Sequence, residues 1–223
     1  MSNNKPKTVD DVVVDVALAK KYEEEWYKIA TDTSETNREV AADAVNRIYA
    51  EQGRAKPEII FMPNPLYAMR TAVFAMKPEN GGPDGVANVK KYVAEERYKT
   101  EKADKVEFHQ YGQLDAYWLV YWNYMKDLHP ELIPTELPKV GPVMDLSKEV
   151  NYYWLFEPLA ILTVKPKYMG IVNEKFHDVD GPAIKFDDLE VYVLENERVT
   201  KEEWEKRVMP YKSQLGKTIF KKL

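Results

Sequence analysis

The chain has 223 residues, a formal net charge of −5 and no cysteine. This length suits one large domain or two small ones, with a core that needs no covalent staples. The acidic balance gives no support to nucleic-acid binding through bulk charge, and the lack of cysteine excludes disulfides, thiolate metal sites and a cysteine nucleophile. No run approaches the roughly 18 apolar residues of a membrane helix. The start MSNNKPKTVDD lacks an apolar export signal, so we expect a cytoplasmic protein without membrane contact.

The first part of the chain has the pattern of a helix. Residues 1–9 are polar, and we expect them to be disordered. Tyr22, Trp26 and Ile29 follow the i, i+4, i+7 spacing of one helix face. This spacing predicts a helix over about 10–30.

A second helix, a strand and a third helix follow. Thr33 or Ser34 is expected to cap the second helix, because hydroxyl oxygens accept the free N–H groups at a helix start. Gly53 is placed to end that helix. The run EIIFM then reads as a buried strand. Asn64 and Pro65 are expected to cap and begin the next helix, and the prolines around Asn64 argue against a phosphate-binding loop.

The middle of the chain alternates loops and helices. Residues 77–85, KPENGGPDG, are the clearest loop. A solvated helix of mixed charge is expected over about 86–104, and a strongly apolar one over about 113–128. Four prolines predict that 130–145 is mainly loop.

Strand patterns dominate from residue 151 onward. LAILTV reads as a strand with YMGIV as its possible partner, and AIKF and EVYVL read as a hairpin pair. Thr200 and Glu203 fit a capping box for a last helix. These elements predict an α+β fold, in which a helical N-terminal two-thirds packs on a small, mainly antiparallel C-terminal sheet. We expect one domain over 10–208 and a basic tail over 209–223.

The chain contains, in this order, the segments ATDTSETNREVAADAVNRIYAEQG, GQLDAYWLVYW and EVNYYWLFEPLAILTVKP. Together they resemble three segments of an uncharacterised family of bacterial and phage-borne domains. EKFHDVDGPAIKFDDLEVY resembles its hallmark, RLHNxxGPAIxxxDG, with Leu189 in place of the glycine. The resemblance implies the fold of a domain of unknown function and carries no reaction. Without that glycine we expect a longer or different turn.

Two histidine clusters are the candidate catalytic residues. His177, Asp178 and Asp180 could bind a divalent metal or shuttle protons, but a turn capped by Asp180 is the favoured interpretation. His109 and Asp115 stand at the entry to the aromatic helix, where a carboxylate also favours the helix dipole. No complete metal-ligand set, cofactor motif or catalytic triad is present, so we predict no cofactor.

Gln113, Trp118, Trp122 and Trp154 are the candidate binding residues. The tryptophans could stack on a ligand, but no basic stripe interleaves them, and core packing is the favoured interpretation.

Three functions remain open. The favoured hypothesis is a non-catalytic module that binds a protein partner or acts as a scaffold. The second is a hydrolase-type enzyme with a pocket of His109, Asp115, His177 and Asp180. The third, possible but not favoured, is nucleic-acid binding through the Lys-rich tail and the 90–105 helix.

Overall fold

The computed structural model describes residues 13–80, 84–101, 112–113, 117–133 and 140–209. The chain divides into two compact units, Met1–Lys165 and Pro166–Leu223. The predicted α+β class is confirmed, because helices lie mostly in the first unit and strands mostly toward the C-terminus. The predicted single domain over 10–208, with its disordered start and basic tail, stays a prediction.

A three-stranded sheet lies at the centre of the first unit. Its strands are β1 (Glu58–Met62), β2 (Tyr153–Leu155) and β3 (Leu159–Thr163), in the order β1-β3-β2. β3 is parallel to β1 and antiparallel to β2. The pairing of LAILTV with YMGIV was therefore predicted wrongly. Every residue of β3 is buried, as expected for a continuous apolar strand covered on both faces.

Helices cover both faces of this sheet. The α-helices described in the first unit are, in chain order, α1 (Val16–Ala30), α2 (Arg38–Glu51), α3 (Pro65–Ala75), α4 (Gly85–Ala94), α5 (Tyr117–Leu128) and α6 (Val140–Glu149). Because side chains alternate along a strand, Ala160 and Leu162 pack with α2 and α6, while Leu159 and Ile161 pack with α3 and α4. α1 and α5 pack on each other through a separate apolar cluster around Tyr22, Tyr124 and Met125.

The predicted cap of α2 is wrong. Asn37 caps this helix, since its side-chain oxygen accepts the N–H of Val40 at 3.1 Å. Ser34 is three residues too early and bonds Asp32 instead. The helix does end at Gly53 as predicted, with a left-handed φ of 68° at that glycine.

Among the other predicted helix boundaries, some are confirmed and some are corrected. Asn64 caps α3 and Pro65 begins it, as predicted. α4 is shorter than the expected 86–104, because Glu96 takes a left-handed φ of 53° after its end. α6 lies in part of the stretch predicted as loop. Pro142 is tolerated in its first turn, where the missing N–H would have no helical partner.

The second unit consists of short antiparallel strands and one helix. The strands are β4 (Tyr168–Met169), β5 (Ile171–Val172), β6 (Lys175–Phe176), β7 (Ile184–Lys185), β8 (Glu190–Leu194) and β9 (Glu197–Val199). β4, β7, β8 and β9 form one sheet in that order, and β5 pairs with β6. A helix over 201–209, α7, follows. The predicted capping box is confirmed: Thr200 Oγ1 accepts the Glu203 N–H, and the Glu203 carboxylate accepts the Thr200 N–H.

Two-residue turns close two of the hairpins. Asn173 and Glu174 join β5 to β6, and Glu195 and Asn196 join β8 to β9; all four residues have positive φ. Positive φ at both central positions is the geometry of a type I′ turn, which glycine favours at the second position. The predicted β7–β8 hairpin through Asp187-Asp188-Leu189 is also present, closed by a bond from the Phe186 N–H to the Leu189 carbonyl at 2.9 Å.

Candidate functional site

A buried lysine, Lys165, is the last residue of the first unit and lies two residues after the end of β3. The side chain of Lys165 is only 3% exposed. Its ammonium donates to Asp32 Oδ2 at 2.7 Å, to Ser34 Oγ at 3.0 Å and to the Lys148 carbonyl at 3.4 Å. These acceptors come from the segment after α1 and from the last turn of α6. The three hydrogens of the ammonium are therefore used within the unit.

Two carboxylates flank this ammonium. Asp32 also accepts the N–H and the hydroxyl of Ser34, at 2.9 and 2.8 Å. Burial raises the pKa of Asp32, but hydrogen bonds from Lys165 and Ser34 outweigh it and hold that pKa below its ordinary value. Glu149 lies 3.9 Å from the ammonium and accepts the Asn37 N–H at 3.1 Å, which places its negative charge at the start of α2.

An open cleft of about 540 Å³ lies above this group. Its lining includes charged side chains of both signs, two short polar side chains and one apolar side chain. The lining residues are Lys28, Ile29, Asp32, Ser34, Glu35, Asn37, Lys148, Glu149 and Lys165. We call this the Lys165 cleft, and Asp32, Glu149 and Lys165 are its floor.

Gln113, a predicted binding residue, lies beneath the cleft and is fully buried. Its amide donates to the carbonyls of Ile29 and Asp32, at 2.8 and 2.5 Å, and its oxygen accepts from Asn151 at 3.3 Å. The residue therefore anchors the segment that carries Asp32. A direct role of Gln113 in binding a ligand stays a prediction.

The three predicted tryptophans have different surroundings. Trp154 is 5% exposed and belongs to the core between the sheet and α3 and α4. Trp118 and Trp122 are partly buried against the cluster of Trp26, Leu119 and Met144. These positions agree with core packing, the favoured interpretation.

His177 lies in the second unit beside a hairpin turn. Its Nδ1 is 3.2 Å from the Glu195 backbone nitrogen and 3.1 Å from Glu195 Oε1. The first contact suits an unprotonated Nδ1, which accepts the N–H, and the second suits a protonated Nδ1. Glu195 also binds the Lys175 ammonium, and this bond lowers the pKa of Glu195. His177 is thereby held against the β8–β9 turn.

Asp178 caps the turn that contains Asp180, and a capping role of Asp180 itself stays a prediction. Asp178 Oδ1 accepts the backbone N–H groups of Asp180 and Gly181, at 2.7 and 3.1 Å. Its Oδ2 accepts the Tyr168 hydroxyl at 2.6 Å. An aspartate side chain readily accepts the N–H groups two and three positions ahead of it in a turn. Asp180 itself is exposed.

The enzyme hypothesis requires residues that the structure does not describe. His109 and Asp115 lie outside the described residues. Their convergence with His177 and Asp180 stays a prediction. Within the described ranges no group of three or more His, Asp or Glu side chains could hold a metal ion.

In the described part of the 90–105 segment, residues 90–101, four basic side chains are offset by acidic ones. Lys90 pairs with Glu58, and Lys91, Arg97 and Lys99 pair with glutamates one turn away along the chain. Such paired lysines and arginines present little net charge to a phosphate backbone. The basic tail over 209–223 lies almost wholly outside the described part.

Sequence reasoning missed the Lys165 cleft. The available signal was Lys165 itself, a charged residue directly after the apolar run LAILTV, because a charge next to a buried strand requires a partner. Nothing in the sequence indicated which carboxylate would be that partner, since Asp32 lies 133 positions away.

Comparison with protein-family models, curated proteins and solved structures gives no match. The resemblance to the bacterial and phage-borne domains therefore stays a prediction, as does the cytoplasmic location. Among the described residues, no helix has the length and apolar character needed to cross a membrane.

Proposed function

We propose that this protein is a non-catalytic binding module that docks a partner polypeptide in the Lys165 cleft. The observation that carries the proposal is the cleft itself: an open, charged depression of about 540 Å³ over a floor already fixed by hydrogen bonds. A fixed floor favours binding, because little side-chain freedom is lost when a partner arrives.

The state of Lys165 supports binding rather than chemistry. A lysine nucleophile needs a free lone pair on its nitrogen. Lys165 instead donates hydrogen bonds to Asp32, Ser34 and the Lys148 carbonyl. The floor carboxylates are likewise engaged, Asp32 with Ser34 and Glu149 with the Asn37 N–H. These hydrogen bonds hold the floor in place as a surface for binding.

The rim of the cleft supports a polypeptide as the partner. Lys28, Glu35 and Lys148 line it, so it offers charges of both signs. Mixed charges complement the mixed charges of a protein surface, and they orient a partner more than they add affinity. An open cleft also suits a protruding side chain of another protein better than an enclosed small molecule.

Site-specific photo-crosslinking tests the proposal. A benzophenone amino acid replaces Glu35 at the cleft, and a matched variant carries it at Glu79, another exposed glutamate of the first unit. In cells of the source organism we expect a discrete crosslinked protein with the label at position 35 and not at position 79. That protein, once purified, should bind the unlabelled chain, and Glu35→Lys should weaken the binding while Glu79→Lys leaves it unchanged.

Two results would contradict the proposal. One is the same crosslinking pattern from both positions. The other is a purified partner whose affinity is the same for Glu35→Lys and Glu79→Lys.

A further inference from the structure

We propose that the floor of the Lys165 cleft receives a basic side chain, arginine or lysine, of the partner polypeptide. This inference rests on the proposed function and adds the chemistry of the group that is recognised. It follows from the balance of charge at the floor, from the partial burial of that charge, and from the neutrality of the rim.

The floor carries an excess of negative charge. It contains two carboxylates, Asp32 and Glu149, and one ammonium, Lys165, which leaves a net charge of −1. Lys165 contacts Asp32 at 2.7 Å but Glu149 only at 3.9 Å. The ammonium therefore compensates Asp32 more fully, and Glu149 carries most of the excess. Within the described residues Glu149 Oε1 accepts no hydrogen bond, whereas Oε2 accepts the Asn37 N–H.

Partial burial strengthens this charge. The Glu149 side chain is 21% exposed and that of Asp32 35% exposed. A charge in this environment acts through a lower effective dielectric than one on the open surface, and salt screens it less. A ligand charge at the floor is therefore selected more strongly than one at the rim.

The rim does not cancel this preference. Lys28 and Glu35 have opposite charges. Lys148 lies 3.6 Å from Asp145, which Arg47 also binds at 3.0 Å, and Arg47 in turn binds Asp43, so the four charges of this cluster cancel. A guanidinium matches a carboxylate through two parallel N–H donors, and an ammonium does so as a point charge. A partner that presents an acidic side chain would instead be repelled by the Glu149 carboxylate, whose charge Lys165 offsets only in part from 3.9 Å.

Titration with small blocked amino acids tests the inference without the partner. The probes are N-acetyl-arginine amide, its neutral isostere N-acetyl-citrulline amide, and N-acetyl-glutamate amide. Two-dimensional amide NMR of the whole chain reports binding at Ser34 and Asn37, which line the cleft. We expect saturable shifts there with the arginine probe, about tenfold weaker binding of citrulline, and no saturation with glutamate.

Glu149→Gln identifies the recognising group. Its amide oxygen can still accept the Asn37 N–H, so the cap is kept while the charge is removed. We expect this variant to weaken arginine binding about tenfold, while the matched control Glu79→Gln leaves it unchanged. Equal binding of citrulline, preferential binding of glutamate, or an unchanged affinity in Glu149→Gln would overturn the inference.

The two proposals fail in different ways. If position 35 crosslinks a specific partner but arginine does not bind the floor, the cleft docks a protein through other chemistry. If arginine binds but no partner is captured, the cleft floor does prefer a basic group, and the proposed function fails.

Discussion

Replacing Lys165 with methionine should be among the costlier single changes in the first unit. Methionine keeps most of the buried volume but removes the ammonium that binds Asp32 at 2.7 Å and lies 3.9 Å from Glu149. Breaking a fully buried pair by removing one partner costs about 3–5 kcal/mol, because it leaves an uncompensated charge. Asp32 is 35% exposed and retains both bonds from Ser34, so screening and hydration reduce the cost. We expect a loss of about 3 kcal/mol.

Urea unfolding followed by tryptophan fluorescence measures this loss. The matched control is Lys28→Met, which removes a lysine from the exposed rim of the same cleft and should cost less than about 0.5 kcal/mol. Adding Asp32→Asn to Lys165→Met should recover part of the loss, because the unpaired carboxylate is then absent. A loss below about 1 kcal/mol, or one equal to that of Lys28→Met, would refute the assignment of Lys165 as a buried anchor.

At acid pH the free energies of unfolding of the wild type and Lys165→Met should become more similar. The pKa of Asp32 is lowered in the folded protein, so its contribution to stability is present above its ordinary pKa and is lost as pH falls through the folded value. Below about pH 4 the wild type therefore loses the stability contributed by the Asp32–Lys165 pair, whereas the variant lacks that pair at every pH. A difference that stays constant from pH 7 to pH 3 would contradict this linkage.

Three further changes test local geometry, each by the free energy of unfolding. Glu174→Gly should stabilise the second unit by about 0.5–1 kcal/mol, because Glu174 has a left-handed φ of 62°, whereas Glu174→Ala should not stabilise it. Gly85→Ala should destabilise the first unit severely, since a Cβ there would lie 1.8 Å from the Asn80 carbonyl oxygen; normal stability would show that the Asn80 turn can move. Thr200→Ala should cost about 1 kcal/mol by removing the cap bonded to Glu203, and Thr200→Ser should restore most of it; equal losses in both would exclude the hydroxyl as the cause.

Local rules in the sequence predicted most of the elements. Asn64 and Pro65, Gly53, and the Thr200–Glu203 box each act over a few residues, so their roles follow from residue type and spacing alone. The cap of α2 was predicted wrongly because several residues before that helix are suitable caps by type. Asn37, at the geometric start of α2, caps it in place of the hydroxyls further upstream.

Long-range partners could not be predicted in the same way. The apolar run LAILTV indicated a buried strand, but its parallel neighbour β1 lies far away in the chain. The Lys165 cleft has the same character, because Lys165 acquires Asp32 and Glu149 only when the ends of α1, α6 and β3 come together. A pattern in a single sequence indicates that a strand or a buried charge requires a partner, but it does not identify that partner.

The parallel pairing of β1 and β3 also affects how the chain folds during synthesis. Ile60 faces Ile161, about a hundred residues later, and β3 is the central strand that β1 and β2 both need. A ribosome must therefore release almost the entire first unit before its sheet can form. Until then the backbone N–H and C=O groups of β1 have no strand partner. During this interval the apolar run EIIFM depends on α2 and α3, its neighbours in sequence, for cover. Premature termination just before β3 would leave an edge strand without a partner and a nascent chain prone to self-association.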